Sequence, residues 1–435
     1  MEQDLIVWTV AFWFVLFLVL GQHVATVLFA SGIVGIYLWI GPQVFEGIIA
    51  RDIFYTASTY SLSLIPLYLL MAHLLLRGGV VVDLFRVGYR LAGYRRFPLG
   101  VATVVSGGLL GAVSGSGAAT SAALATLASP QLETFGYTRR MSVALAAIAG
   151  SLSAIIPPSL IMIIYGSLTQ VSIGHLFIGA LLPALVCIVV YILCLRIFGE
   201  TRGDAVDGHA PEGEDDAPEQ GSLGAFAFVL VLMAVIFGGI YGGVVTAGEA
   251  GALGAFTALV GMLVMRRVGV RDIAHALSDS VKVTGMVMII VLGAQIFGRF
   301  LSYSRVPREL LAAVEPFLGN PEMVVVALLA AFFVFGLFLE SAAVMVLLIP
   351  IIMPILDAAD INLLWFGVMA CFMISLGLLT PPVGLSAYAA SSAAQFPVGP
   401  VFRITLVFAL FAAVLVSALM VMVPEIVTWL PAHIR

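Results

Sequence analysis

The stretch SAIIPPSLIM, Ser153–Met162, places two consecutive prolines inside an apolar run that is long enough to cross a bilayer. A second copy, LGLLTPPVGL, occupies Leu376–Leu385. Each proline lacks an amide donor and clashes with the preceding turn, so each pair predicts a spanning helix that is unwound near its centre. Such a turn exposes carbonyl oxygens that suit a hard cation and points a positive half-helix N-terminus inward. A simple proline kink is the alternative interpretation.

The composition is typical of a polytopic α-helical membrane protein. Of the 435 residues, 62% are hydrophobic and 10% are charged, and the mean hydropathy is +1.16. The lack of a basic surface argues against nucleic-acid binding. The three cysteines, Cys187, Cys194 and Cys371, lie in apolar runs and are interpreted as small buried hydrophobes.

The sequence contains no P-loop, no H-E-x-x-H and no G-x-S-x-G motif. The energy for any transport must therefore come from an ion gradient or from another subunit. A membrane-embedded enzyme would need a catalytic dyad at membrane depth, and Glu340 is the sole candidate. We therefore predict no catalytic residues and no enzymatic activity.

Two sets of five apolar segments are predicted to span the membrane. The acidic start MEQD differs from the basic n-region of a signal peptide, so the first apolar segment is interpreted as a retained span. An acidic segment rich in Gly and Pro, residues 199–221, separates the two sets and is predicted to be a cytoplasmic linker. The predicted spans are approximately 5–20, 24–40, 60–77, 138–168 and 174–197, then 222–243, 248–267, 282–303, 361–392 and 398–423.

The segments 1–198 and 222–435 are interpreted as two repeats offset by 224 residues. The matches that carry this interpretation are Pro130 with Pro354, Pro157 with Pro381 and Pro158 with Pro382. Leucine and alanine matches are frequent by chance in this composition, whereas three proline matches at one offset are not. Each repeat contains one predicted broken helix, at about 138–168 and about 361–392.

Two further apolar segments, about 100–133 and about 323–356, are each interrupted in the middle. Each arm of about 14 residues would reach only about 20 Å, short of the ~30 Å hydrocarbon core. Each segment is therefore predicted to enter and leave on one side as a re-entrant helical hairpin. Each half then makes five crossings, which predicts an all-α protein with two inverted-topology repeats.

The basic residues indicate the orientation. Tracing the spans places fourteen basic residues on one side and five on the other, which together are the nineteen in the chain. The richer side is predicted to be cytoplasmic, so both termini are predicted to be periplasmic. If 5–20 and 24–40 form one broken span instead of two, the first half loses its odd number of crossings.

The hairpin tips supply candidate binding residues. The first tip, GAVSGSGAAT at Gly111–Thr120, contains poor helix formers that can expose backbone and hydroxyl oxygens. Close helix packing through small residues is the alternative. Glu340 occupies the repeat position of Ser116, and a carboxylate at that depth indicates a functional site unless an arginine pairs with it.

Other polar residues close to the breaks have weaker signals. Glu249, in VVTAGEAGAL, lies near the start of a span and is interpreted as interfacial. The hydroxyl residues that flank the two breaks could contribute ligands or bond to their own helix. They are Ser153, Ser159, Thr380 and Ser386.

The ordered motifs GAVSGSGAAT, SPQLETFGYTRR, IIPPSLIMIIYG, TAGEA, GLFLESAAVMVLLIPIIMP and LLTPPVGLSAYAA resemble the large membrane subunit (DctM-type permease) of tripartite ATP-independent periplasmic (TRAP) transporters. The resemblance covers essentially the whole chain. It implies an elevator-type secondary transporter of the bacterial inner membrane, driven by Na⁺ and carrying a small organic anion. The implied partners are a small four-span membrane subunit and a periplasmic substrate-binding protein.

The resemblance also implies two ion sites and a substrate site between them. The implied ion ligands are Ser114, Gly115, Ser116, Ile156 and Pro157 in the first repeat, and Glu340, Ser341, Thr380, Pro381 and Gly384 in the second. The implied substrate contacts are Ser116, Gly117, Ser159, Glu340, Ser341 and Ser386. TAGEA replaces the common T-P-T-E-A, and SGSG replaces a tip that often has another serine, which leaves the subfamily and exact ligands open. A stand-alone carrier of the same superfamily, coupled to an ion that could be H⁺, is the alternative function.

Overall fold

The computed structural model describes residues 2–93, 95–201 and 222–433, where the regular elements are helices. The helices of the first half are α1 (Glu2–Val19), α2 (Val24–Ile40), α3 (Pro42–Ala57), α4 (Leu64–Arg77), α5 (Val80–Leu91), α6 (Arg96–Ser114), α7 (Gly117–Thr134), α8 (Arg139–Ser151), α9 (Leu160–Thr169), α10 (Ile173–Gly179) and α11 (Leu181–Phe198). Those of the second half are α12 (Leu223–Tyr241), α13 (Ala247–Val264), α14 (Val270–Tyr303), α15 (Val306–Val314), α16 (Pro321–Gly336), α17 (Ser341–Ala358), α18 (Leu363–Gly377), α19 (Leu385–Ala393), α20 (Val398–Met422) and α21 (Glu425–Ala432). Of the predicted linker 199–221, only residues 199–201 are among the described residues.

Several helical segments are long and apolar enough to cross a membrane. Within the described residues there are 7 of them, and shorter apolar helices lie between them. The seven are Tyr60–Arg77, Ile173–Phe198, Leu223–Tyr241, Ala247–Val264, Val270–Tyr303, Ser341–Ala358 and Val398–Met422. The prediction of an all-helical, multi-pass membrane protein is confirmed.

Helices recur in the two halves at the offset of the proline pairs. α7 begins at Gly117 and α17 at Ser341, 224 residues later, and α8 and α18 begin at Arg139 and Leu363, also 224 residues apart. The long helix α14 corresponds to α3 and α4 joined end to end. In the first half a turn separates them, where the hydroxyls of Ser58 and Thr59 donate to the carbonyl of Tyr55. Such side-chain bonds compete with helix continuation.

The counterparts α4 and α14 pack against each other and run antiparallel. Leu62, just before α4, lies near Val291 and Gln295 of α14. Arg77, the last residue of α4, pairs with Asp279 near the other end of α14 at 2.6 Å. An inverted repeat predicts this antiparallel packing of equivalent helices.

α1 and α2 are two separate helices. The face of α1 that contains Asp4 and Trp8 lies near Trp39 at the end of α2, while Phe14 of α1 stacks on Phe297 of α14 at 5.2 Å. Gly32, midway along α2, also lies against Phe297. The two helices therefore run antiparallel, joined by a short turn at Leu20–His23.

The hairpin arms are longer than the sequence-based prediction. They contain 19 and 18 residues in α6 and α7, and 16 and 18 in α16 and α17, instead of about 14. The prediction counted apolar residues only, whereas the helices continue through polar ends such as Arg96 and Asp357. Tips of two and four residues join the arms of the two hairpins. Because α17 is itself among the seven helices long enough to cross a membrane, arm length does not support re-entry, and the re-entrant hairpins stay a prediction.

Amphipathic helices were missed for the same reason. α3, α5, α15 and α21 were not predicted, and α14 begins at Val270 instead of 282. The charged residues of α3, α5, α15 and the start of α14 interrupt the apolar runs by which spans are recognised, whereas α21, with 8 residues, is too short to be recognised. One of these charges forms a contact between helices: Asp52 of α3 accepts two hydrogen bonds from Arg299 of α14, at 2.7 and 2.8 Å.

Candidate functional site

The first break lies between α8 and α9. α8 ends at Ser151, a 3₁₀ turn covers Leu152–Ala154, and the backbone is non-helical as far as Ser159. Pro157 and Pro158 are buried. The hydroxyl of Ser159, which is 0% exposed, donates to the carbonyl of Ala154 at 2.7 Å. This predicted substrate contact is therefore already hydrogen-bonded to its own break.

The second break, between Gly377 and Leu385, has a related conformation and a different environment. Thr380 donates its hydroxyl to the carbonyl of Gly377 at 2.9 Å. Gly384 adopts φ +52°, a left-handed conformation that favours glycine. Pro381 and Pro382 are exposed, unlike the prolines of the first break.

The two broken helices contact each other at equivalent residues. The hydroxyl of Ser375 donates to the carbonyl of Ser151 at 2.6 Å, and the two positions are 224 residues apart. Both residues are 0% exposed. α8 and α18 therefore cross where their regular winding ends, and the two breaks begin beside this crossing.

The tip of the first hairpin lies against both breaks. Gly115 ends α6 with φ +63°, and Ser116 caps α7 by accepting from the amide of Ala119 at 3.4 Å. A Cβ on Gly117 would lie 3.1 Å from Ser386 Oγ of α19 and 3.4 Å from Ser153 Oγ of the first break. The Ser114 side chain is outside the described residues.

Two of the hydroxyls around Gly117 have no hydrogen-bond partner. Ser153 and Ser386 are both 0% exposed, and their Oγ atoms are buried and unpaired within the structure described here. Ser31, Ser129, Thr284 and Ser391 also have unpaired buried hydroxyls, so a missing bond alone does not indicate a ligand. Ser153 and Ser386 differ from these in that both lie beside Gly117 of the first tip. Ser386 is a predicted substrate contact, whereas Ser153 was considered only as a flanking hydroxyl.

The second tip presents a carboxylate. Glu340 is the N-cap of α17, and its Oε2 accepts from the amide of Ala342 at 3.0 Å. Within the described residues no basic side chain forms an ion pair with Glu340, so the proposed arginine partner is not found. The carboxylate instead lies at a helix N-terminus, where the helix dipole stabilises negative charge.

Hydrogen bonding and close packing hold each tip beside its break. A Cβ on Gly111 of α6 would overlap Ser153, and a Cβ on Gly377 would lie 2.7 Å from the backbone of Gly336 in α16. The amide of Val383 in the second break donates to the carbonyl of Leu337 in the second tip at 3.2 Å. The structure thus brings the predicted residues of each repeat together at one tip and one break.

The motif TAGEA has a structural role outside this site. Thr246 and Glu249 form a capping box at the start of α13, with the amide of Thr246 donating to Glu249 Oε2 at 2.7 Å. Glu249 therefore stabilises a helix end, while its position at the membrane interface stays a prediction.

The site offers oxygen atoms and helix N-termini. α7, α9, α17 and α19 begin at Gly117, Leu160, Ser341 and Leu385, next to the tips and breaks. Within the described residues no three His, Cys, Asp or Glu side chains converge to hold a metal ion. Hydroxyl and carbonyl oxygens suit a hard monovalent cation, and helix N-termini suit a carboxylate. The residues present therefore fit both an alkali cation and an organic anion.

Comparison with known proteins identifies the family. The sequence profile described as "Tripartite ATP-independent periplasmic transporter, DctM component" matches residues 11–426. The C4-dicarboxylate TRAP transporter large permease protein DctM of Pseudomonas aeruginosa is 29% identical over 385 residues, 88% of this chain and 87% of that protein. The ectoine TRAP transporter large permease protein TeaC of Halomonas elongata is 29% identical over 414 residues, 95% and 96% of the two chains.

The fold is also found in a solved structure. The crystal structure of the Alcanivorax borkumensis YdaH transporter matches with a TM-score of 0.66 and 14% identity, over 88% of this chain and 89% of that chain. This likeness concerns the fold alone. The family match spans nearly the whole chain, and it confirms the resemblance seen in the sequence. The chain therefore belongs to the DctM family, the large membrane permease component of the tripartite ATP-independent periplasmic transporters.

Proposed function

We propose that the chain is an ion-coupled secondary carrier that imports a small organic anion together with Na⁺. One observation carries the proposal: the unpartnered, fully buried hydroxyls of Ser153 and Ser386 meet at Gly117, where the first tip contacts both breaks. Na⁺ binds hydroxyl and carbonyl oxygens, and the breaks supply both. Here Na⁺ is a transported ion, and its binding energy drives uptake of the anion.

The substrate is most simply a dicarboxylate or a related organic acid. Four helix N-termini adjoin the two tips and breaks, and that of α17 already holds the Glu340 carboxylate. The partial positive charges of the other three stabilise a substrate carboxylate without a buried basic side chain. The relatives named above are a C4-dicarboxylate permease and an ectoine permease, so the family carries more than one kind of small solute. Selection among acids belongs mainly to the periplasmic binding protein that delivers the substrate.

The mechanism proposed is elevator-type movement of the hairpins and broken helices along the remaining helices. The moving unit would contain α6–α9 and α16–α19, and the stationary unit α2, α4, α13 and α14. The stationary helices pair closely with one another, α2 with α14 and α13 with α4. A rigid frame of this kind is what movement of the other unit requires.

Orientation and partners complete the proposal. The side that contains Arg139, Arg140 and Arg196 is assigned to the cytoplasm by its excess of basic residues, so both termini face the periplasm. A small four-span membrane subunit and a periplasmic binding protein are the proposed partners. A reporter fused to the C-terminus that is active only in the cytoplasm should stay inactive, and full activity would overturn the orientation.

The coupling ion is tested in proteoliposomes that contain the chain, its small subunit and the binding protein. Uptake should require an inward Na⁺ gradient, and an inside-negative potential should help if net positive charge enters, by up to ~2.3 kcal/mol per charge per 100 mV. Undiminished uptake after choline replaces Na⁺ would exclude sodium coupling. Uptake by the chain alone, driven by a proton gradient, would support the alternative of a stand-alone carrier.

A further inference from the structure

A cleft separate from the transport site opens between α1, the end of α2 and α15. Its volume is about 630 Å³. One face of α1, with Asp4 and Trp8, forms one wall, and one face of α15, with Arg305 and Glu309, forms the other. Trp39, at the end of α2, also lines the cleft. The volume is within the range of roughly 300–1,000 Å³ that is usual for sites of small molecules.

The cleft is lined by charges of both signs. Arg305 and Glu309 are exposed and one helical turn apart, yet neither belongs to an ion pair among the described residues. A ligand in the cleft would therefore meet one guanidinium and one carboxylate that no ion pair among the described residues neutralises.

The surroundings of the cleft place it at the level of lipid headgroups. Trp8 is 73% exposed, and indoles concentrate at the membrane–water interface. The neighbouring residues Leu5 and Phe12 of α1 are 67% and 68% exposed, so acyl chains can lie beside the cleft. α15 has no buried residue, which leaves its charged face free for an amphipathic molecule.

We propose that this cleft binds the headgroup of a zwitterionic phospholipid with a primary ammonium group, of the phosphatidylethanolamine class. The phosphate would accept charge-assisted hydrogen bonds from Arg305, and the ammonium would donate to Glu309. A phospholipid with an anionic headgroup and no ammonium would leave the Glu309 carboxylate facing negative charge. The proposal requires only that the chain lies in a bilayer, so it is independent of the transported substrate and ion.

The proposal is tested by native mass spectrometry of the full chain, extracted from vesicles that contain equal amounts of phosphatidylethanolamine and phosphatidylglycerol. Wild-type protein should retain the ethanolamine lipid preferentially. Arg305→Gln and Glu309→Gln should each lower that retention about tenfold, because each removes one charge-assisted contact. Arg308→Gln, on the same helix but outside the cleft, is the matched control and should retain the lipid.

Equal retention of the two lipids would overturn the proposal, as would equal losses in Arg305→Gln and Arg308→Gln. Thermal unfolding midpoints of the three variants should agree, because these exposed side chains make no ion pair that folding needs. Replacement of Trp8 by photoreactive benzoylphenylalanine gives a second readout. A lipid adduct supports the proposal, and an adduct with the small membrane subunit in the assembled transporter would show that a protein fills the cleft instead.

Discussion

The two breaks share a sequence pattern but not an environment. Pro157 and Pro158 are buried, whereas Pro381 and Pro382 are exposed. Beyond the first break, α9 packs mainly against α17, α10 and α18, and it also contacts the 3₁₀ turn at Tyr60–Ser63 and α4 of the proposed stationary unit. Beyond the second break, α19 packs mainly against α7, α8 and α20. The sequence repeats are therefore similar, while their positions relative to the stationary helices differ.

The hairpins show the same difference. Pro350 of α17 lies against Gly298 of α14, where a Cβ on the glycine would be 3.4 Å from the proline Cβ. The equivalent residues 224 positions earlier are Thr126, which is exposed, and Leu74. In an inverted-repeat carrier the two halves are similar in sequence, but in any one conformational state they differ in structure. We infer that one side of this structure is closed and the other open, and that the second state exchanges them.

The first prediction concerns what the two breaks have in common, the close approach of a hairpin arm. Gly111→Ala and Gly377→Ala should each lower the free energy of unfolding by about 1–3 kcal/mol, because the added methyl group meets backbone atoms. Gly238→Ala, where nothing lies within 4 Å, should be neutral or stabilising by up to about 1 kcal/mol. Thermal unfolding in detergent measures all three. If only one of the first two variants loses stability, close packing of the hairpin arm holds the break in that repeat alone.

The second prediction concerns the charge that distinguishes the tips, since Glu340 occupies the position of Ser116. Glu340→Gln keeps an acceptor for the amide of Ala342 and removes the charge. We expect Na⁺-dependent uptake to fall tenfold or more, equivalent to about 1.4 kcal/mol or more, with unfolding little changed. Glu249→Gln, at another helix cap, is the control and should leave uptake unchanged. Normal uptake by Glu340→Gln would show that this carboxylate serves only as a helix cap.

The third prediction separates serines that hold the breaks from serines that face a ligand. Ser375→Ala and Ser159→Ala each remove a buried hydrogen bond and should lower unfolding free energy by about 1 kcal/mol. Ser153→Ala and Ser386→Ala remove unpaired hydroxyls, so stability should be unchanged or slightly higher. These two variants should instead bind Na⁺ more weakly, so uptake should show a higher half-saturating Na⁺ concentration. Unchanged Na⁺ dependence in both variants would exclude these hydroxyls as ligands.

The main features of the fold are predictable because they depend on local chemistry. Two proline pairs at one offset specify two interrupted helices, and small residues in the first apolar run indicate a hairpin tip. The second tip, residues 337–340, is marked instead by its carboxylate. The crossing of Ser151 with Ser375 is not predictable from either segment alone, since it depends on how two distant helices pack. The amphipathic helix α3 was missed because its charged residues, such as Asp52, are held by partners far away in the sequence.

The site was predictable as a region and not as a set of ligands. Ser153 and Ser159 both flank the first break, and nothing local distinguishes them. The hydroxyl of Ser159 is taken by the carbonyl of Ala154, while that of Ser153 points at Gly117 and remains unpaired. Hydrogen-bond partners of this kind are set by tertiary packing. The exposure of Pro381 likewise depends on tertiary packing, which the repeated motif cannot specify.

Disulfide cross-linking tests most directly the claim that the two sides exchange. In a variant without Cys187, Cys194 and Cys371, one cysteine pair is placed at positions 298 and 350 and, in a second protein, at positions 74 and 126. At rest the first pair should cross-link readily, because its Cβ separation suits a disulfide, and the second should not. During uptake with Na⁺ and substrate, the second pair should form as well. If the 74–126 pair never forms during uptake, or forms as readily as the other at rest, the exchange of sides is contradicted.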